Sequence, residues 1–386
     1  MVVYLDNAAT SWPKPPEVAR AMEDFSREAG ANPGRSGHRR SIAAGRTVYG
    51  AREAVAELFN LADPLRVVFG LNGTEALNLA LQGLLRPGDH LVTSSVEHNS
   101  VMRPLQAMAA AGVRFTRVRN APDGTLDPAL IAEAIQPETR MIVLNHASNV
   151  NGALQPVAAA GRIARERGLL LLVDAAATAG SVPIDMAAQA IDLVAFTGHK
   201  HLYGPMGTGG LAVGERVPVA ELRPLKRGGT GSRSEEETQP EVLPDLYESG
   251  TLNALGLAGL EAGVRWVLAQ GVDRIRRHQV TETGRWLAAL GEIPGVDVQG
   301  PAAPERRTGV ISFTIEGMSP SEIGLRLDEE HGLLCRVGLH CAPAAHRIQG
   351  TFPTGSVRIA PGCFTTEEER RRAVTAVAAL AREAAR

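Results

Sequence analysis

Between Arg66 and Gly214 the chain repeats one pattern, a short apolar and often β-branched run followed in most cases by a stretch with helical spacing. The seven runs are RVVF, HLVTS, VRFTRV, MIVLN, LLLLVD, DLVAF and GLAV, and the text between them includes EALNLALQGLL and NSVMRPLQAMAA. A strand that is apolar on both faces needs cover on both, and helices between consecutive strands supply it. The alternation therefore predicts an α/β fold, with a mostly parallel seven-stranded sheet and helices on both of its faces. At 386 residues the chain is longer than one core usually serves, so a second lobe is expected. From Leu222 to Ser249 the text turns to Gly, Ser, Pro and acid, which reads as a long irregular excursion, with Glu235, Glu236 and Glu237 as a solvated face. Beyond Asn253 come a long helical pattern, GVISFTI, a helix from Ser319, LLCRVG, a loop, SVRIA and a closing helix, EEERRRAVTAVAALAREA. Strands and helices no longer alternate strictly there, which predicts a smaller C-terminal α+β domain. The expected division is an N-terminal segment over 1–14, a large α/β domain over 15–253 and the small domain over 254–386.

Charge narrows the partners. Forty Lys and Arg against 42 Asp and Glu offer no electrostatic footprint for nucleic acid or an anionic membrane, so small molecules are expected instead. No charged start followed by an apolar stretch precedes YLDNAAT, and GLLLLVDAAATAG is interrupted by Asp174 and too short to span a bilayer. A cytoplasmic protein is expected. Three cysteines, an odd number, argue for free thiols in a reducing compartment rather than a disulfide framework.

In an open parallel sheet, ligands bind outside the carboxyl ends of the strands. The unusual polar residues fall there: RVVF leads into GLNGTEALN, HLVTSSV into Glu97 and His98, MIVLNHAS into Asn149, LLLLV into Asp174, and DLVAFTG into His199 and Lys200. Each has a plainer reading. GLNGTE suits any helix start, Asp174 can cap a helix, His98 can be a satisfied loop histidine, Asn149 can hold a turn, and a lone lysine is most often on the surface. Convergence on one edge is what points to chemistry. A pyridoxal 5'-phosphate cofactor needs an amine to condense with its aldehyde, a carboxylate beside the pyridine nitrogen, a planar group over the ring, a donor near the phenolic oxygen and a helix start for its phosphate. Lys200, Asp174, His98, Asn149 and the Gly73–Thr74 turn supply one of each. GPMGTGG superficially suggests a dinucleotide loop, but it precedes the strand GLAV rather than following a strand and opening a helix.

YLDNAAT, ANPGRSGH, TEALN, VEHNS, SNVNG, VDAAATAG, TGHK, YESGTLN and RVGLHCAP, in that order, resemble the class V aminotransferase group of pyridoxal phosphate enzymes, in its cysteine desulfurase and selenocysteine lyase branch. The resemblance covers nearly the whole chain and implies fold type I and a homodimer with active sites at the interface. It implies that Thr197 and His199 add donors to the cofactor, that Thr251 reaches the partner subunit's phosphate, and that Arg358, Asn149, Arg35 and Ala8 surround the substrate. A bidentate fork is the physical reason for arginine opposite a carboxylate, although Arg358 can also be read as a surface strand residue.

Cys341 lies five residues after Arg336 and directly after His340, in a Gly- and Pro-punctuated loop; nearby cations and partial exposure lower a thiol's pKa and keep it reachable. Cys335 and Cys363 read as packed hydrophobes, and Cys335, His340, Cys341 and His346 lack the short paired hook of a zinc site, so no metal is expected. The resemblance makes Cys341 the sulfur acceptor. It implies that Lys200 takes the Cα proton of L-cysteine, that His98 moves protons, and that the Cys341 thiolate attacks the substrate sulfur to give a persulfide and L-alanine, the sulfur passing to an acceptor protein as in iron–sulfur cluster assembly. L-selenocysteine cleavage, or an aminotransferase, lyase or epimerase reaction on another amino acid, are the alternatives within the group. A weakly catalytic scaffold for a sulfur-acceptor partner is a further one. The chain departs from the group once: Ala177 stands where glutamine usually donates to the cofactor's phenolic oxygen.

Overall fold

The computed structural model describes residues 2–34 and 36–386. All seven apolar runs form strands of one sheet: β2 (Val67–Gly70), β3 (His90–Ser94), β4 (Arg114–Val118), β5 (Thr139–Asn145), β6 (Leu170–Asp174), β7 (Leu193–Thr197) and β8 (Gly209–Val213) follow β1 (Val3–Tyr4). Among the described residues their order is β2-β8-β7-β6-β5-β3-β4. Only β8 runs against the rest, antiparallel to both β2 and β7, so the other strands end on one rim.

Alternation along each strand sorts the core. Phe69, Ile142, Leu171, Val194 and Ala212 face one way, onto α2 (Arg39–Phe59) and α6 (Val157–Glu166), which follow α1 (Pro16–Asp24) in the chain. Val68, Leu91, Val143, Leu172 and Leu211 face the other, onto α3 (Gly73–Leu84) and α4 (Asn99–Ala109). A shorter helix, α5 (Pro128–Glu133), leads into β5. The edge strand β4 is partly exposed, whereas β2, at the other edge, is largely buried.

The excursion after β8 carries neither helix nor strand up to α7 (Ala254–Gln270). It is nevertheless anchored: Glu248 is buried against Arg52 of α2, with the Arg52 Nη1 to Glu248 Oε1 distance 2.7 Å, and accepts from Phe69 N at 2.6 Å. Leu257, Leu260 and Val264 place α7 in the core of the large sheet.

After α8 (Val272–Gly291) come β9 (Val296–Gln299), β10 (Ile311–Ile315), α9 (Pro320–Glu329), β11 (Leu333–Leu334), β12 (Arg336–Gly338), α10 (Pro343–Gln349), β13 (Ser356–Ile359) and α11 (Glu367–Ala384). Strand β9, VDVQ, is too polar and too short for its sequence to announce. The small sheet runs β12-β13-β10-β9, antiparallel throughout, and buries Phe313, Val357, Trp286 and Leu380 in a separate core. The N-terminus joins this body: β1 pairs with β11, and Val3 and Leu5 enter its core. Among the described residues no helix is long and apolar enough to cross a membrane.

Candidate functional site

The lysine of AFTGHKHLY stands where β7 stops. Gly198 makes the turn possible, since a Cβ there would lie 2.1 Å from Thr208 Oγ1 and 3.0 Å from Leu260 Cδ1. The N-terminal segment braces it: Ser11 N and Thr10 Oγ1 each donate to His199 O at 3.0 Å, and Lys14 Nζ donates at 3.2 Å. Burial pushes the Lys200 amine down to about 8, against the pull of Asp174 and with help from the Arg358 cation. Asp174, at the end of β6, is raised above the usual carboxylate range by desolvation, while Ala176 N, 3.0 Å from its Oδ1, and Lys200 favour the charged form.

Around this pair the strand ends close a cavity of about 300 Å³. Gly73, Thr74, His98, Asn149, Asp174, Thr197, His199 and Lys200, all expected from the sequence, line it together. Asn72 caps α3 by accepting from Glu75 N at 3.0 Å, which leaves the N–H groups of Gly73 and Thr74 without intrahelical acceptors at the positive end of the helix. His98 caps α4: its Nδ1 accepts from Ser100 N at 3.0 Å, so the neutral ring carries its proton on Nε2. Burial, then the Lys200 charge, pushes His98 down to about 4 and keeps it neutral. Ser100 Oγ stands 2.8 Å from His98 Nδ1 and 2.7 Å from Thr74 Oγ1, linking the helix start to the imidazole.

Arg358 is not on the surface; it is 1 % exposed. Its Nη2 donates to Asp6 Oδ1 at 2.9 Å and its Nη1 to Asn149 O at 3.0 Å, and its Nε is buried with no partner among the described residues. Ala8 packs with Val310 and Ala360. Thr251 lies away from the cavity, its Oγ1 3.5 Å from Asn32 Nδ2, and Arg35 lies outside the described residues. Cys341 is exposed, with Arg336 Nη2 3.4 Å from its Sγ. It borders a groove of about 660 Å³ that shares Thr74, His98 and Ser100 with the cavity. The other thiols differ: burial pushes Cys335 up to about 12, and Cys363 is raised by burial and sits 3.0 Å from the Tyr203 hydroxyl. Among the described residues no group of three or more His, Cys, Asp or Glu side chains is placed to hold a metal ion.

Sequence reasoning left Asp6 and Ser100 without roles and noted Glu97 only as a strand-end acid. Glu97 is fully buried behind the rim, accepting from Ser94 Oγ at 2.5 Å and from Asn145 N at 2.9 Å. Desolvation pushes its carboxyl up to about 8, with the Asp174 charge adding to the rise. Its place in VEHNS, one residue before an expected site histidine, is the signal that could have singled it out. Asp6 sits inside the quoted YLDNAAT, but its partner is 352 residues away and only the fold brings the two together.

The donor set fits a phosphate-bearing aromatic aldehyde. Thr197 Oγ1, Asn149 Oδ1 and His199 Nδ1 are buried without partners among the described residues, which calls for a polar occupant. An anion suits the start of α3, and the buried carboxylate of Asp174 suits a protonated ring nitrogen. Ala177 also lines the cavity and contributes only a methyl group.

A mostly parallel sheet with a half-buried lysine and a buried carboxylate at its strand ends fits the fold type I class of α/β proteins. The chain belongs to the class-V aminotransferase family, whose description, Aminotransferase class-V, matches residues 3–372. It is 37% identical over 371 residues to a probable cysteine desulfurase of Methanothermobacter thermautotrophicus, covering 95% of this chain and 92% of that one. The solved apo structure of cysteine desulfurase from Thermococcus onnurineus NA1 superposes with a TM-score of 0.91 at 30% identity, covering 99% of this chain and 95% of that one. The cysteine desulfurase CsdA of Escherichia coli, solved as its S-sulfonic acid form, gives a TM-score of 0.87 at 28% identity with the same coverage, 99% and 95%.

Proposed function

We propose that this chain is a pyridoxal-phosphate-dependent cysteine desulfurase that moves sulfur from L-cysteine to Cys341 and releases L-alanine. The observation that carries the reading is the meeting of two devices: a half-buried amine and a buried carboxylate lining one strand-end cavity, and an exposed thiol beside Arg336 on a groove that shares three of the cavity's residues.

Lys200, Asp174, His98, Asn149, Thr197, His199 and the start of α3 at Gly73 and Thr74 would hold the cofactor. When bound, it supplies an aldehyde to capture the substrate amine and a cationic ring to take up the electrons left when Cα loses its proton. Lys200, with its amine pKa lowered to about 8, is suited to accept that proton at Nζ. Asp174 would supply the carboxylate that a protonated ring nitrogen needs as its partner. His98 holds a proton at Nε2, available to pass on. Arg358, whose Nε is left without a partner among the described residues, would take the substrate carboxylate, and the family resemblance assigns Asn149, Ala8 and Arg35 to the same surroundings. Cys341 attacks the substrate sulfur as a thiolate: an S–S bond forms, the C–S bond breaks with its electron pair going to carbon, and that carbon is protonated on the way to alanine.

The working units are the segment 1–14, the cofactor-binding body 15–253 and the body 254–386 that carries the Cys341 loop and whose first helix, α7, packs into the core of the large sheet. A homodimer would bring Thr251 of each chain toward the other's phosphate. The exposed Cys341 suits delivery to an acceptor protein, including one that serves iron–sulfur cluster assembly, and free thiols suit the cytoplasm.

The test is incubation of the holoenzyme with L-cysteine, without added thiol, followed by mass analysis of the peptide that holds Cys341. One added sulfur on Cys341, absent in Cys341→Ser, is expected. An unmodified Cys341 alongside released alanine would overturn the transfer.

A further inference from the structure

The turn that presents Cys341 is built from two consecutive residues in the left-handed region, His340 with φ 48° and Cys341 with φ 61°. Both carry a Cβ, which crowds the backbone in that region, so the turn needs external restraint to persist. The restraint is anchored on the strand-end rim of the cavity. Asn149 Nδ2 donates to His340 O at 2.6 Å, and Asn99 N, one residue beyond His98, donates to Cys341 O at 2.8 Å. Within the loop, Ala342 N donates to Leu339 O at 2.9 Å, a bond that exists only in this turn. The His340 ring is itself buried and kept neutral by desolvation, 5.5 Å from the His346 ring, with Nε2 3.3 Å from Ser356 Oγ and Nδ1 unpartnered among the described residues.

We propose that Asn149 is a positioning residue for Cys341, holding the nucleophile's loop in its left-handed turn through the His340 carbonyl. The inference rests on the desulfurase reading for its purpose, though not for its test. Asn149 stands at a junction: its side chain lines the cofactor cavity, its own carbonyl accepts from Arg358, and its amide reaches the thiol's loop. One further N–H and the unpartnered Oδ1 remain for an occupant of the cavity. Occupancy of the cavity and seating of Cys341 thus share one side chain, which couples the arrival of substrate to the position of the thiol that takes its sulfur.

The test is hydrogen exchange, read by mass spectrometry on the holoenzyme peptide spanning residues 339–349. Asn149→Ala should speed exchange in that peptide roughly tenfold, the loss of one strong hydrogen bond, while peptides from β6 and α6 stay at the wild-type rate. Asn149→Asp, which keeps the shape of the side chain but has no N–H to donate, should speed exchange in that peptide at least as much. Loop exchange in Asn149→Ala within twofold of wild type overturns the proposal, and so does wild-type protection in Asn149→Asp. Absorbance of the bound cofactor, followed in the same samples, separates loss of cofactor from loss of the loop contact: loop exchange that rises only as cofactor is lost overturns it too. Neither readout needs turnover, so a chain that failed to take sulfur from cysteine would sink the desulfurase reading and leave this result standing.

Discussion

Replacing Glu97 by glutamine should flatten a pH dependence of stability that burial imposes. Glu97 is enclosed behind the strand ends and accepts from Ser94 Oγ and Asn145 N, yet desolvation pushes its carboxyl from the usual 4.5 up to about 8. Because the folded pKa lies above the unfolded one, the stabilisation from the protonated form is complete below pH 4.5 and is lost as pH rises through about 8. Between pH 5.5 and 7.5 the unfolded chain has already released the proton while the folded one keeps it. At about 1.36 kcal/mol per pH unit, the wild type loses roughly 2.7 kcal/mol across that window from this group alone. Glu97→Gln has no proton to lose. Its amide sits worse against the Asn145 N–H, but that cost does not vary with pH. Asp174 titrates in both proteins, and only its coupling to Glu97, a minor cause beside desolvation, enters the difference. Urea unfolding of the two cofactor-free proteins, followed by tryptophan fluorescence at pH 5.5 and 7.5, reads it directly. The variant should gain about 2 to 3 kcal/mol relative to wild type at the higher pH. A relative stability that stays the same at both values would refute the argument that the carboxyl is held protonated by its burial.

Three other expectations follow from the same rim. The neutral Lys200 amine is the reactive form, so capture of pyridoxal phosphate by cofactor-free protein should quicken with pH and level off above about 8, whereas a plateau reached only near 10.5 would remove the case for a desolvated amine. Asp6→Asn leaves the buried Arg358 guanidinium without its counter-charge and should cost about 3 kcal/mol in urea unfolding at neutral pH; a loss under 0.5 kcal/mol would mean the pair is idle. Ala177→Gln adds an amide donor to a wall that now presents a methyl group, and should shift the pH at which the bound cofactor changes colour; an unchanged spectrophotometric titration would show that the missing donor does not matter.

Much of the fold was legible because its signal is periodic. Each apolar run between Arg66 and Gly214 became a strand of the central sheet, since a segment that must bury both faces has few alternatives in a chain of this size. The antiparallel course of β8 and the short polar strand β9 were not legible, because neither alters the local pattern of residues. In the site, the residues at successive strand ends gathered into one cavity as their order implied, for a parallel sheet delivers every carboxyl end to the same edge. The long-range partners stayed hidden. Nothing near LDNAAT names Arg358, nothing near SNVNG names the carbonyl of His340, and Arg52 gives no hint of Glu248.

By itself, the order of residues determined the seven strands of the large sheet and which polar residues would gather at their carboxyl ends. Tertiary structure alone decided the lowered pKa of the Lys200 amine and the pose of the Cys341 loop. The reason is one of range: burial of apolar periodicity is settled within a few residues, whereas desolvation, ion pairing and backbone restraint depend on atoms hundreds of positions apart being brought within about 3 Å.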